Sequence, residues 1–253
     1  MNLTSPVSPP NALWSELIPY GAAHWTAAQH AALLATSDHR GGSTPCVRVS
    51  KGTLRLYDLQ AYFSSVAGQH DSAQGIAFVH RALCALCAPW DPLMRGFVTA
   101  YLQAMEQRLA QAEPEFRAYV QQFEGLFQLE DWFYSAPAPL PQAHLYAPLA
   151  HEGPRGDEQD FVAVSFAFSI GGVRLAVLGA RDALTPLLQR KTVQRLQQAG
   201  IKVLTGYDPS ILTQQISAIL GETESRFWRQ DPLPKGPFLP KGLAPLSALF
   251  TGQ

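Results

Sequence analysis

Two runs of β-branched and aromatic residues separated by a Gly-Gly pair constrain this chain more than any other feature. The first, FVAVSFAFS, covers residues 161–169, and the second, VRLAVLG, covers 173–179. Such side chains suit a pleated surface, and the intervening glycines tolerate the backbone angles of a tight reversal, so the segment predicts a β-hairpin. Leu184, Leu187, Leu188, Val193 and Leu196 then return at helical spacing, with Arg190, Lys191 and Arg195 among them. Ala199-Gly200 closes that helix and residues 201–204 (IKVL) read as a third strand. Asp208-Pro209 opens a last helix, with Ile211, Leu212, Ile216 and Ile219 on its apolar face and Gly221 past its end.

Upstream the chain reads as mostly helical. Thr26 caps a short helix that runs to Ala35, and a loop at 37–42 ends it. Val47-Arg48-Val49 and Leu54-Arg55-Leu56-Tyr57 alternate around Lys51-Gly52 and predict a small β-hairpin. Ile76, Val79, Leu83 and Leu86 mark one helix; Asp91-Pro92 starts another, striped by Leu93, Phe97, Tyr101, Met105 and Leu109. Glu113-Pro114 is expected to interrupt it, with Phe116, Val120 and Phe123 on a further helix. The prolines at 137, 139, 141 and 148 predict an extended crossover over 135–148. From Arg226 the tail FWRQDPLPKGPFLPKG is too apolar for a solvated linker, which points to a segment that lies along a groove of this chain or of a protein partner.

Composition narrows the function. The chain has 253 residues, 19 Lys+Arg against 20 Asp+Glu, and only 15% charged residues. A net charge of −1 excludes the strongly basic balance of a dedicated nucleic-acid coat. Charge this sparse implies that part of the surface is covered by a partner or by the chain itself. Three cysteines do not make a complete disulfide framework, so a reducing compartment is expected. The first residues lack the basic and apolar regions of a secretory signal, and no apolar run approaches the ~20 residues of a membrane helix. The expectation is a cytoplasmic protein with no membrane contact.

The order hairpin, basic helix, strand and helix resembles the core of the PD-(D/E)XK nuclease superfamily, in its Vsr-like and restriction-endonuclease-like branch. There the hairpin strands read like VDFAF and LAVEIDG, and the strand after the helix like AGWRVLR. The matching segments here are VSFAF (164–168), LAVLGA (175–180) and AGIKVL (199–204), preceded by PAPLPQAHL (137–145), which is similar to the stretch leading into such hairpins. The resemblance covers roughly residues 130–222. It implies a nuclease-like α/β core over 135–222; the residue patterns on either side add a mainly helical N-terminal region (1–134) with a small β-hairpin and a Pro-rich extended tail (223–253), for an α/β fold overall.

The family's chemistry uses acids on both hairpin strands to hold one or two divalent cations, which activate water and neutralise charge on the scissile phosphate. Residue by residue, those acids fall on Ser165, Leu178 and Ala180. Positions 178 and 180 share a strand face, as the register requires, but a hydroxyl and two alkyl groups cannot hold Mg²⁺. The resemblance therefore implies a degenerate site with no cofactor. Mg²⁺ would enter only if acids elsewhere rebuilt it, and Asp160 and Asp182, which flank the two strands, are the fallback pair; a turn acid and a helix N-cap are their ordinary alternatives. Arg181, Arg190, Lys191 and Arg195 are the candidate contacts to a nucleic-acid backbone, against the alternative of a solvated helix face.

Other constellations are weaker. His80, Cys84 and Cys87 share a helix face, but a structural zinc needs four ligands, and small thiols on an apolar helix belong to a core. Trp132-Phe133-Tyr134 could stack a base, or anchor a core or interface. No nucleotide-binding or hydrolase-triad motif is present. The function expected is a catalytically inactive nuclease-like binding or assembly subunit, in a prokaryotic defence or DNA-processing setting that the resemblance alone suggests. An active endonuclease with migrated acids and a non-catalytic nucleic-acid-binding module are the alternatives.

Overall fold

The computed structural model describes residues 17–21, 46–49, 54–59, 75–120, 136–149, 158–170, 172–179 and 186–205. Among them are helices α1 (Gly75–Ala85), α2 (Pro92–Val120) and α3 (Pro186–Gln198). The strands are β1 (Leu17–Pro19), β2 (Cys46–Arg48), β3 (Leu140–Tyr146), β4 (Phe161–Ile170), β5 (Val173–Leu178) and β6 (Lys202–Thr205). Strands β3-β4-β5-β6 form one mixed sheet in that order, while β1 and β2 pair separately. β3, β4 and β5 are an antiparallel meander; α3 then carries the chain to β6, parallel to β5. This is an α/β architecture.

The predicted hairpin is β4–β5, paired from Phe166↔Val177 to Ile170↔Val173. Gly172 at its turn has φ 84°, a conformation that costs an L side chain about 1–2 kcal/mol and glycine almost nothing. Gly200, at φ 74°, ends α3 in the same way. Asp91 caps α2 as expected, its Oδ1 accepting the Leu93 N–H at 3.0 Å.

The core is built on one face of β4. Val164, Phe166 and Phe168 alternate onto that face, and α2 lays Phe97 and Tyr101 against it. The Phe97 ring stacks on Phe166 at 4.5 Å and meets Phe168 edge-on at 6.4 Å, while Tyr101 meets Phe168 at 5.4 Å. Tyr101 also donates its hydroxyl to the Pro137 carbonyl at 2.6 Å, so the ring is buried with its polar end satisfied. Core residues from α1, α2 and the sheet belong to one cluster, which Leu196 of α3 and Ile201 join.

Three expectations need correction. Residues 47–49 and 54–57 do not form a hairpin with each other. β2 pairs with β1 (Ile18↔Val47), and the 54–56 segment bonds instead to 136–138 through Leu56 N–H to Ala136 O and Ala138 N–H to Leu54 O, both at 2.9 Å. Asp58 then accepts the Arg55 N–H at 2.8 Å and helps turn Leu56–Leu59 into a 3-10 helix. Second, Pro114 does not end α2, which continues to Val120. A proline removes one N–H and crowds one carbonyl, which bends a helix while the flanking hydrogen bonds survive.

Third, residues 140–146 are a seven-residue strand and not an irregular crossover. The Pro141 carbonyl accepts the Gly21 N–H at 2.8 Å, on the side away from β4. The missing N–H of Pro141 would point the same outward way, so the ladder to β4 loses nothing. The helices expected at 26–35 and 208–221, Trp132-Phe133-Tyr134 and the tail from 226 lie outside the described residues.

Two outcomes test this packing. Phe97→Ala should cost about 3–5 kcal/mol in urea unfolding, the usual penalty for a buried aromatic; a loss under about 1 kcal/mol would mean the helix–sheet stack is not there. Burial pushes the thiols of Cys46 and Cys87 from 9.0 up to about 12. Above pH 9 the unfolded chain gives up protons that the folded chain keeps, so stability should be full below pH 9 and decline from there toward 12. A Cys46→Ala/Cys87→Ala variant should show a flatter decline over that window in pH-dependent denaturation.

Candidate functional site

The second face of β4 carries small residues. Ala163, Ser165, Ala167 and Ser169 alternate along it, opposite the aromatic face. Continuing the ladder one step beyond Phe166↔Val177 sets Ser165 directly across from Leu178. Directly opposed residues of an antiparallel pair project from the same face, so the first two positions expected to hold acids are true neighbours. Leu178 pairs in turn with Thr205 of β6. Ala180, Arg181 and Asp182 lie outside the described residues.

The chemistry at this point is neutral. Ser165 and Leu178 are both buried, and the Ser165 Oγ accepts the Gly179 N–H at 3.1 Å. That bond satisfies a backbone donor just past the end of β5, where the ladder to β4 gives out. A divalent cation of the Mg²⁺ class needs several oxygens, mostly anionic. A hydroxyl already accepting from the backbone and an isobutyl group do not fit such an ion.

A backbone irregularity lies on the other side of Ser165. In the β3–β4 ladder the register runs through Pro141↔Phe166 and Ala143↔Val164 and skips Gln142, the position facing Ser165. Gln142 has φ 46°, left-handed for a non-glycine residue. Its side chain leaves the sheet and Nε2 donates to the Leu86 carbonyl at 2.7 Å, tying β3 to the end of α1. The bond offsets a strain of about 1–2 kcal/mol. Sequence reasoning missed Gln142, because nothing in PLPQAHL marks a left-handed residue.

Asp160, one of the two fallback acids, is buried in the short 3-10 helix Glu158–Asp160 at the head of β4. Phe161 to Ser165 alone spans about 13 Å of extended strand, too far for Asp160 and a ligand at position 165 to share one cation. Its surroundings are structural. The Asp160 carbonyl accepts the Ala147 N–H at 2.8 Å, and Tyr146 packs edge-on against Phe161 at 5.6 Å. Burial first, and the Asp160 carboxylate second, push the Tyr146 phenol above its ordinary value.

The basic helix is divided. Arg190 and Lys191 are exposed, but Arg195 is half-buried and its guanidinium donates to the carbonyls of Ala147 and Gln159. It thus fastens α3 to the junction of β3 and β4. His80 and Cys84 lie together on α1, with Cys84 Sγ 3.5 Å from His80 Nε2, whereas the buried Cys87 thiol bonds to the Leu83 carbonyl at 3.4 Å. Among the described residues no three His, Cys, Asp or Glu side chains gather as a metal-holding group.

Substitutions at the two sheet positions separate their roles. Ser165→Ala should cost about 1–3 kcal/mol, because the buried Gly179 N–H loses its acceptor. Gln142→Ala should destabilise more than Gln142→Gly: both lose the bond to Leu86, but only glycine relieves the backbone. Equal losses in chemical denaturation would show that position 142 carries no strain.

Comparison with protein-family models, with curated proteins and with solved structures finds no match for this chain.

Proposed function

We propose that this chain is a catalytically inactive nuclease-like protein that works as a binding or assembly subunit. The observation that carries the reading is the Ser165–Leu178 pair. The two residues sit side by side where the resemblance calls for acids, both buried, with the serine hydroxyl engaged by the Gly179 backbone. The antiparallel meander followed by a helix and a parallel strand is in keeping with such a core. A protein partner is supported by Trp90 and Leu187, large apolar side chains 59% and 61% exposed, and by the apolar Pro-rich composition of 226–250. A prokaryotic defence or DNA-processing complex is the setting that the resemblance suggests.

Purified protein should leave single- and double-stranded DNA and RNA intact in Mg²⁺ or Mn²⁺. Cleavage that disappears in an Asp160→Ala/Asp182→Ala variant would overturn the proposal in favour of an endonuclease with migrated acids. A second experiment tests the correspondence itself. Ser165→Asp/Leu178→Glu should melt at lower temperature than the parent and regain stability with millimolar Mn²⁺, because a cation that binds only the folded state stabilises it. If Mn²⁺ shifts neither protein, positions 165 and 178 do not correspond to the family's acids. Duplex binding that weakens steeply with salt, and is lost on replacing Arg190 and Lys191, would favour the nucleic-acid-binding module.

A further inference from the structure

Leu233-Pro234-Lys235-Gly236 returns as Leu239-Pro240-Lys241-Gly242, with Pro237-Phe238 between the two copies. The repeat has a period of six, and Pro234, Pro237 and Pro240 fall three residues apart. Proline holds φ at about −65° and has no N–H, so this spacing suits neither an α-helix nor the inner strand of a sheet. It suits a polyproline II helix, which turns once in three residues and rises about 3.1 Å per residue.

In that helix the side chains sort into three ridges. Pro234, Pro237 and Pro240 form one, Lys235, Phe238 and Lys241 the next, and Leu233, Gly236 and Leu239 the third. The copies stand two whole turns apart, about 19 Å, so each presents the same side chains in the same direction. A proline ridge of this kind docks between aromatic rings, whose indole and phenol groups donate to the free backbone carbonyls. The two lysines call for carboxylates beside those rings. Among the described residues this chain offers no such groove of its own. The exposed large apolar side chains there are Trp90, Leu93, Val173, Leu187 and Leu188, of which only Trp90 is aromatic, while Phe97, Tyr101, Phe166 and Phe168 are buried in the core.

On the reading of this chain as a binding subunit, we propose that residues 232–242 are a polyproline II ligand for a second protein, whose groove is lined by Trp and Tyr and edged by Asp or Glu. The prolines restrict the backbone before it binds, which lowers the ordering cost of holding an extended segment. Leu233, Phe238 and Leu239, an apolar load that a solvated linker does not carry, are covered in the complex. Lys235 and Lys241 set the direction and register by meeting carboxylates at the rim.

Photo-crosslinking by the full chain in its own cells tests this, with p-benzoylphenylalanine replacing Phe238 in one variant and Trp90 in another. The probe at 238 should give one main adduct with a protein, mapped by mass spectrometry to a groove of Trp or Tyr with Asp or Glu beside it. Lys235→Glu/Lys241→Glu should remove that adduct. Pro237→Ala/Pro240→Ala should cut its yield severalfold. Exchanging two neighbours, Gly236→Pro/Pro237→Gly, keeps the composition but breaks the three-residue spacing, and should cut the yield as much. Full yield from the exchanged variant, an adduct within the same chain, with nucleic acid or with a surface that lacks aromatic rings, or no adduct from 238 would each overturn the proposal. Adducts from position 90 alone would overturn it and leave the binding-subunit reading standing. Nucleic-acid cleavage by the pure chain would instead remove that reading and leave an aromatic-groove adduct at 238 as support for the ligand.

Discussion

The contact between α2 and the aromatic face of β4 is the interaction on which the rest of the structure depends. Phe97 and Tyr101 lie one helical turn apart and meet Phe166 and Phe168, which lie two apart on the strand and so share a face. The helical period of four and the strand period of two place two rings against two rings. With the Tyr101 hydroxyl also bound to the Pro137 carbonyl, the same contact sets the approach of the chain to β3.

That packing makes β4 asymmetric. Phe166 and Phe168 serve the helix, and from residue 163 to 169 the opposite face is left to alanine and serine. Ser165 and Leu178 face each other on neighbouring strands across that second face, beside the kinked Gln142 of β3. The Ser165–Leu178 pair, buried and uncharged, with the serine hydroxyl accepting from the Gly179 backbone, is suited to holding strands together. Arg195 follows the same logic: a cation that the sequence offers to a phosphate is occupied by two backbone carbonyls.

What was legible came from local signals. The β4–β5 hairpin, α3 and β6 could be read because strand-forming residues, a Gly-Gly turn and a helix-ending Gly200 act within a few residues of one another. β3 was not legible, because the tolerance of a strand for Pro141 depends on which way the absent N–H points, and Gly21 reveals that direction from 120 residues away. The pairing of β2 with β1 was hidden for the same reason: residues 54–56, its apparent partners, are engaged by 136–138. At the candidate site, the lack of acids at 165, 178 and 180 was plain from the residues. That 165 and 178 adjoin, and that Gln142 strains the strand beside them, required the register.

The sequence by itself determined the α/β character, the hairpin with its following helix and strand, and the uncharged chemistry of positions 165, 178 and 180. Those follow from side-chain shape, glycine freedom and ionisability, which each residue carries wherever it lies. Only the tertiary structure decided which segments pair across long separations, whether Arg195 is free to meet a phosphate, and how Cys84 comes to lie beside the Nε2 of His80. These depend on competition among distant hydrogen-bond partners and on which faces the aromatic core leaves open, and neither is a property of any local stretch of chain.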